Sequence, residues 1–265
     1  MFFFKRKTPY EKELAALLKK ERRFLKIREN KKESFINRKI ARFVPKKLSG
    51  TLDAAFAKAF GLVFEKGTKV IEKTYNRKSL EINFYENDYR NGVLESKKTL
   101  RAFSKKAKAA GNRNLLFSGA AGIGMGVLGI GIPDIPVFTA LLLKSVYEIA
   151  LDYGFDYDSE KERAFILWVI EGAVSYGENI LETNEKIDRF IKTGKLPEDY
   201  DQSEAIKSAA SNLSKELLYM KFVQGIPIIG AVGGFYDAVY MKRINEFANL
   251  KYRKRMLLRM KKRNG

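Results

Sequence analysis

The sequence predicts an all-α protein, a multi-helix bundle that carries glycine-rich apolar hairpin segments. Apolar residues recur at helical spacing through most of the 265 residues, and segment 82–85 alone comes near a strand pattern. Two uncharged segments, residues 114–133 and 222–236, are rich in glycine, and each contains a Gly-Ile-Pro. With 45% apolar and 31% charged residues the chain can bury a core, which excludes a disordered protein.

Two apolar stripes and one polar, Lys-rich segment predict the first three helices. Residues 9–31 carry an apolar stripe made of Tyr10, Leu14, Leu17, Leu18, Phe24 and Leu25. Lys and Arg fill most of the other positions, and Glu21 interrupts the stripe. This basic amphipathic helix either docks its stripe on the body of the protein or lies among lipid headgroups. A second stripe, with many alanines, predicts a helix over 51–75, and a polar, Lys-rich helix is expected over 86–110.

Caps and breaks predict the later helices. Asp134 is a good N-cap, and Pro136 is tolerated in the first turn of a helix over 135–152. The capping box Ser159-Glu160-Lys161-Glu162 begins a helix that should reach about residue 180. The remaining expected helices are 184–193, which ends at Gly194, 203–222, which Ser203 caps, and a long basic helix to about residue 262.

The chain contains no cysteine and no histidine. This absence excludes disulfides, thiol nucleophiles, thiolate or histidine metal sites and Ser-His-Asp triads. Asp156 and Asp158 follow a glycine and offer too few ligands for Ca²⁺ or Mg²⁺. We therefore predict no metal and no cofactor, while carboxylate, Lys, Tyr or Ser chemistry remains open.

The net charge of +20 is concentrated at the two ends of the chain. Residues 1–47 hold 17 Lys and Arg against 5 Asp and Glu, and residues 242–265 hold 10 against 1. The intervening residues are close to neutral. Basic ends of this kind are attracted to anionic lipid headgroups or to nucleic-acid phosphates, and charge alone does not separate the two partners.

The first glycine segment allows three interpretations. Gly124, Gly126 and Gly129 spell GxGxxG, but a dinucleotide site needs a preceding strand, and a basic helix precedes this segment. Twenty helical residues would cover about 30 Å, enough to cross a bilayer. A returning span would carry Lys144 and Glu148, which disfavours a simple crossing.

The third interpretation is close helix packing, because glycines at every third or fourth position let backbones approach. It is compatible with a buried core and equally with a shallow hairpin inserted in a membrane. Because glycine is a poor helix former, this segment is also predicted to be the conformationally soft element of the protein. The residues that we predict to contact lipid in the two segments are Gly122, Gly126, Gly129, Ile132, Pro133, Ile226, Pro227, Gly230 and Gly234.

Three polar residues between the apolar segments form a candidate polar site. Asp134 is either a plain helix cap or the polar tip of a hairpin that contacts headgroups. Lys144 and Glu148 lie one helical turn apart and can pair. The pair is either an ordinary half-buried ion pair or the lining of a pocket.

Several strings of the chain resemble the EcsC family. The resemblance covers about residues 45–258 and includes 52–67, which fits an early helix of that family. On this basis residues 1–47 are a basic N-terminal helical extension, and 48–265 are an EcsC-like helical domain with a basic C-terminal helix. The strings that carry the resemblance are Asp134-Ile-Pro136, Leu142-Leu-Lys144, Tyr147-Glu-Ile-Ala150, Tyr153-Gly-Phe-Asp-Tyr-Asp-Ser-Glu160, Lys221-Phe-Val-Gln-Gly-Ile-Pro-Ile-Ile-Gly230, Gly233-Gly234 and Lys251-Tyr-Arg-Lys-Arg255.

The resemblance implies an all-helical fold that is partly membrane-associated, and it implies no agreed set of catalytic residues. The family takes its name from a bacterial operon that also encodes an ABC transporter, which implies a link to transport or secretion. We therefore expect a membrane-associated, non-enzymatic accessory protein at the cytoplasmic side of the cell membrane. Its expected partners are the anionic membrane surface and a membrane transporter or another membrane protein.

Two alternative functions stay open. The first is an enzyme that acts on a lipid or another amphiphile with carboxylates near Asp134 and Glu148, and it requires a deep polar pocket at these residues. The second is a nucleic-acid binder, which the basic ends allow. No helix-turn-helix, RNA-recognition or zinc pattern in the sequence supports the second alternative.

Overall fold

The computed structural model describes residues 7–30, 46–109, 111, 134–224 and 233–264. The described residues contain no strand, and segment 82–85 lies inside a helix, so the predicted all-α class is confirmed. The helices are α1 (Pro9–Glu29), α2 (Lys46–Leu62), α3 (Thr68–Glu72), α4 (Arg77–Val93), α5 (97–109), α6 (Asp134–Asp152), α7 (Glu160–Val174), α8 (Glu178–Thr193), α9 (Gln202–Gln224) and α10 (Gly233–Asn264), with a π-helical turn at Val63–Gly67 between α2 and α3.

Helices α6, α7 and α10 form the centre of the bundle. Helix α10 packs against α1, α6, α7 and α9, and α7 also packs against α8 and α9. The segment Ala164–Ile170 of α7 is buried on every side, as expected for a helix that other helices surround. Among the helices of the described ranges, none is both long enough and apolar enough to cross a bilayer.

The capping chemistry largely follows the sequence. The Ser159 side chain accepts a hydrogen bond from the Glu162 backbone N–H at the start of α7, and α8 ends at Gly194 in the left-handed region with φ 68°. One predicted cap is wrong. The Asp201 carboxylate, rather than Ser203, accepts from the Glu204 backbone N–H at the start of α9.

Several predicted helices have different bounds in the structure. The helix expected over 184–193 begins at Glu178, and the one expected over 51–75 is divided into α2, the π-helical turn and α3. The expected helix over 86–110 is divided into α4 and α5, because the backbone is extended at Leu94 and Asn76 caps α4. The helix that begins at Ser159 stops at Val174 rather than near 180. Gly177, with φ 59°, separates it from α8.

Helix α1 docks its apolar stripe on the body of the protein, with Leu17 and Phe24 buried against α10 and α8. The Phe24 ring stacks on Phe247 of α10 with 4.9 Å between the ring centroids. Glu13 and Glu21, which interrupt the stripe, are also buried. Carboxylates buried in this way need partners, because desolvation penalises an isolated charge.

Those partners come from the basic segment 251–255 of α10. The Lys251 ammonium is fully buried and donates to Glu21 of α1 and, at 2.9 Å, to Asp188 of α8. The ammonium of Lys254 donates to the same two carboxylates at 2.9 Å each. This cluster ties α1, α8 and α10 together, and it fixes the position of α1 across α10.

Two further ion pairs continue the same pattern along α10. The Arg253 guanidinium donates through Nη2 to Glu13 of α1 at 2.8 Å. The Arg255 guanidinium donates to Glu162 of α7 at 2.7 Å, and the Tyr252 hydroxyl donates to the same carboxylate at 2.7 Å. Much of the charge that the sequence places in the C-terminal helix is therefore neutralised inside the protein.

Candidate functional site

A cleft of about 760 Å³, which we call the cationic cleft, lies between α1, α5 and α10. Its size falls in the range of small-molecule sites. Six of its sixteen lining residues are cationic, and one is acidic. The lining consists of Leu17, Lys20, Arg23, Phe24, Ile27, Arg28, Ser104, Lys108, Gly111, Tyr153, Lys242, Asn245, Glu246, Asn249, Leu250 and Arg253.

The rim of the cleft carries charge that the described residues do not neutralise. Lys20, Arg23, Lys108 and Lys242 are exposed to solvent and make no ion pair within the described part of the chain. They come from three helices and face a common space. Four like charges that converge beside one carboxylate, Glu246, create a net positive potential, which attracts an anion into the space between them.

The floor of the cleft is apolar around one buried guanidinium. Leu17, Phe24, Tyr153 and Leu250 are buried and form its apolar part. Arg253 lies among them with only 8% of its surface exposed. Its Nη2 donates to Glu13, but its Nε is buried and has no hydrogen-bond partner among the described residues. A buried N–H without an acceptor is costly, so a ligand oxygen at this atom would be stabilised.

The electrostatics of the neighbouring groups agree with an excess of positive charge. Partial desolvation lowers the pKa of Lys108, and the nearby cations Lys20 and Arg253 lower it further. Burial and the neighbouring Arg243 lower the pKa of Arg28 to about 10. Both groups lack a compensating carboxylate strong enough to reverse these shifts, so an anion in the cleft would stabilise their charged forms.

The walls of the cleft are held by bonds that do not involve a ligand. The Asn245 amide donates to the Gly111 carbonyl at 3.2 Å and accepts from the Ser145 hydroxyl at 2.7 Å, which connects the end of α5 to α6 and α10. The Tyr153 hydroxyl donates to Asn249 at 3.2 Å. The cleft is therefore preformed, and a ligand would not need to order its walls.

This arrangement suits recognition better than bond-breaking chemistry. The cations can hold an anionic group, and the apolar floor can bury a hydrocarbon segment next to it. Glu246 is the acidic residue of the lining, and it is exposed on the rim. Within the described residues, no group of acidic side chains is placed to hold a metal ion.

The sequence-predicted site lies elsewhere in the fold. Asp134 is the first residue of α6, and Gly234 lies in the first turn of α10. Lys144 and Glu148 are not among the residues that line the cationic cleft. The predicted lipid-contact residues that fall outside the described residues are Gly122, Gly126, Gly129, Ile132, Pro133, Ile226, Pro227 and Gly230.

Lys144 and Glu148 form the ion pair that their spacing predicts. The ammonium and carboxylate are 3.9 Å apart, and both side chains are largely buried. The Lys144 side chain also lines an apolar groove between α3 and α6, together with Ile71, Thr74, Pro136, Val137, Ala140 and Leu141. Glu148 is not among the residues that line that groove.

Sequence reasoning missed the cationic cleft, although part of its signal was present. Leu17, Lys20, Phe24 and Ile27 recur at spacings of three and four, which places one cation and three apolar residues on one face of α1. The cations of α5 and α10 reach the same space only through the packing of three helices. Their convergence has no local sequence pattern.

Comparison with known proteins gives a family and no individual relative. Neither a curated protein nor a solved structure matches the chain. A family model described as the EcsC protein family matches residues 11–257. The matched region includes most of α1, which the sequence analysis set apart as an extension. Because the match spans nearly the whole sequence, the chain belongs to the EcsC protein family.

Proposed function

We propose that the protein is a non-enzymatic, membrane-associated helical protein that binds an anionic amphiphile in the cationic cleft. The observation that carries the proposal is the lining of this cleft, where six cations and one carboxylate surround an apolar floor. A phosphate-bearing lipid combines the two properties that this lining recognises, a compact anionic head and a hydrocarbon chain.

The placement of the cations favours a phosphate group at the floor of the cleft. The Arg253 Nε offers an unused buried donor, and an arginine side chain binds phosphate oxygens in a defined orientation. Lys20 and Lys108 on the rim add point charges from opposite walls. Leu17, Phe24 and Leu250 then cover the first methylene groups of the chain, and exclusion of water strengthens the charge interactions.

The proposed cellular setting follows the same chemistry. Anionic lipids are exposed at the cytoplasmic surface of a membrane, so a protein with this cleft would act there as a peripheral component. Membership of the EcsC family supports a connection to a membrane transporter or to secretion, and this connection belongs to the proposal.

The test is a calorimetric titration with soluble short-chain ligands. Dioctanoyl phosphatidic acid should bind, inorganic phosphate should bind much more weakly, and dioctanoyl phosphatidylcholine should not bind measurably. The double variant Lys20→Gln, Lys108→Gln should weaken binding of the phosphatidic acid by roughly tenfold or more, because each lost charge contact is worth about 1 kcal/mol.

Matched controls lie on the same two helices. Lys19→Gln, Lys105→Gln removes two exposed lysines that do not line the cleft, and it should leave the affinity unchanged. Equal weakening by both double variants would mean that overall charge, not the cleft, attracts the ligand. Inorganic phosphate binding as tightly as the lipid would reduce the cleft to a simple ion site.

A further inference from the structure

The outer face of α4 carries an apolar stripe that no described residue covers. Ile82, Tyr85, Tyr89 and Val93 are 57%, 68%, 75% and 70% exposed. Their spacings of three and four residues place them on one side of the helix. Leu94, which follows α4 directly, continues the stripe and is 66% exposed. Contiguous exposed apolar surface of this kind marks an interaction site on a folded protein.

The polarity of α4 departs from that of an ordinary surface helix, although Leu80 packs half-buried against the core. The buried side chains of α4 are Phe84 and Asn91, and Asn91 accepts a hydrogen bond from the Thr99 hydroxyl at 2.9 Å. A helix that merely docks on a core would turn its isoleucine, valine and tyrosines inward and its asparagine outward. The pattern therefore fits a helix whose outer face meets an apolar partner.

Helix α4 presents this stripe from a fixed position. The Phe84 ring packs on Phe103 of α5 and fills the space beside Gly154, whose positive φ of 74° belongs to the turn after α6. At the other end, Arg263 of α10 holds Asp88 through two hydrogen bonds of 2.8 and 2.9 Å. The stripe thus sits on a rigid element of the bundle.

Exposed basic side chains outnumber the exposed acidic ones, Glu86 and Glu95, around the stripe. Lys78 and Arg90 are exposed on α4, and the stripe is followed at once by exposed Lys97 and Lys98. Lys106 of α5 donates to Asn83, one position from the stripe, at 3.1 Å. Tyrosines among aliphatic side chains and flanking lysines are typical of helices that lie at a lipid–water interface.

We propose that the outer face of α4 is the surface by which the protein lies on an anionic lipid bilayer. The proposal deepens the proposed membrane association and rests on it. Ile82 and Val93 enter the boundary between headgroups and acyl chains, the rings of Tyr85 and Tyr89 lie at headgroup depth, and the lysines contact lipid phosphates. Charge complementarity favours a membrane over a second copy of this basic chain, because two copies would bring like charges together.

Vesicle flotation tests the proposal. The protein should float with vesicles of phosphatidylglycerol and phosphatidylcholine and should not float with phosphatidylcholine alone. The double variant Tyr85→Ser, Tyr89→Ser should lower the partition coefficient roughly tenfold or more. The control Leu62→Ser, Val70→Ser changes two other exposed apolar side chains away from α4 and should leave partitioning unchanged. Equal losses in both double variants would overturn the proposal.

A second measurement reports depth directly. Because the chain contains no cysteine, Tyr89→Cys gives one site for an environment-sensitive fluorophore. Its emission should shift to the blue on addition of anionic vesicles, while a label at Val70→Cys should not shift. A label at position 89 that stays in water while the protein binds vesicles would show that another surface contacts the bilayer.

Failure of this inference can be separated from failure of the proposed function. The cleft variant Lys20→Gln, Lys108→Gln should lose the soluble phosphatidic acid and keep most of its vesicle binding, and the α4 variant should show the reverse. Sedimentation velocity without lipid should give one monomeric species. A dimer that the α4 double variant dissociates, with vesicle binding unaffected, would assign the stripe to self-association instead.

Discussion

Helix α10 carries two groups of cations that the sequence does not distinguish. Lys251, Lys254 and Arg255 are packed against carboxylates of α1, α7 and α8. More than two turns before Lys251, Lys242 lines the cationic cleft and makes no ion pair among the described residues. Arg253 also lines the cleft, and although its Nη2 is paired with Glu13, its Nε has no acceptor among the described residues. The first group holds the bundle together, and the second leaves positive charge available to a ligand.

The comparison shows why net charge is a weak guide to partners. A positive charge attracts an external anion only to the extent that no internal carboxylate has neutralised it. Four acidic side chains, Glu13, Glu21, Glu162 and Asp188, neutralise the 251–255 segment. The charge available to a partner is the remainder, and part of it lines the cleft.

The largest expected effect comes from removing one of the α10 cations that are paired with carboxylates. Lys251→Met leaves Glu21 buried and Asp188 half-buried, each with fewer partners, so we expect the free energy of unfolding to fall by about 3–5 kcal/mol. Chemical denaturation measures this change. The matched variant Lys20→Met removes an exposed cleft lysine and should change stability by about 0.5 kcal/mol or less. Similar losses for both variants would remove the distinction between the two groups.

A smaller effect on the free energy of unfolding is expected when the pH is lowered. Burial alone would raise the pKa of Asp188, but Lys251 and Lys254 outweigh it and lower the pKa below its ordinary value. A carboxylate with a lowered pKa stabilises the folded protein above its unfolded-state pKa of about 4, and this contribution is lost as the pH falls through the folded-state pKa. Asp188→Asn should therefore flatten the fall in unfolding free energy below about pH 4.

The control for this pH experiment is Asp199→Asn, in the loop before α9, which makes no ion pair in the described residues. Its unfolding free energy should follow the wild-type curve across the acid range. If Asp188→Asn had the same slope of unfolding free energy against pH as the wild type, the Lys251 and Lys254 ammonium groups would not perturb this carboxylate.

The smallest expected effect concerns the cations that line the cationic cleft. The pKa of Lys108 lies below its ordinary value because of desolvation and the charges of Lys20 and Arg253, and a bound phosphate should raise it again. NMR titration of lysine side chains, with and without dioctanoyl phosphatidic acid, measures this shift. Affinity for the lipid should decline as the pH rises through the pKa of Lys108, and Lys108→Arg should move that decline to higher pH. A pKa unchanged by the lipid would place the ligand elsewhere.

The fold was largely predictable because its signals are local. Helical periodicity, the Ser159 N-cap and the left-handed Gly194 each act within a few residues, and the structure places each as expected. The predictions failed where two local signals competed. Ser203 and Asp201 are both good caps two positions apart, and only the position of the first helical turn selects Asp201.

The sequence by itself determined an all-helical chain with a near-neutral body, two basic ends and no thiol or imidazole chemistry. Only the tertiary structure decided which of the basic side chains are neutralised, because the partners are remote in sequence. Glu21 and Lys251 are 230 positions apart, and Glu13 and Arg253 are 240 apart. Coulomb energy depends on distance and burial in the folded protein, and neither quantity is written in the order of the residues.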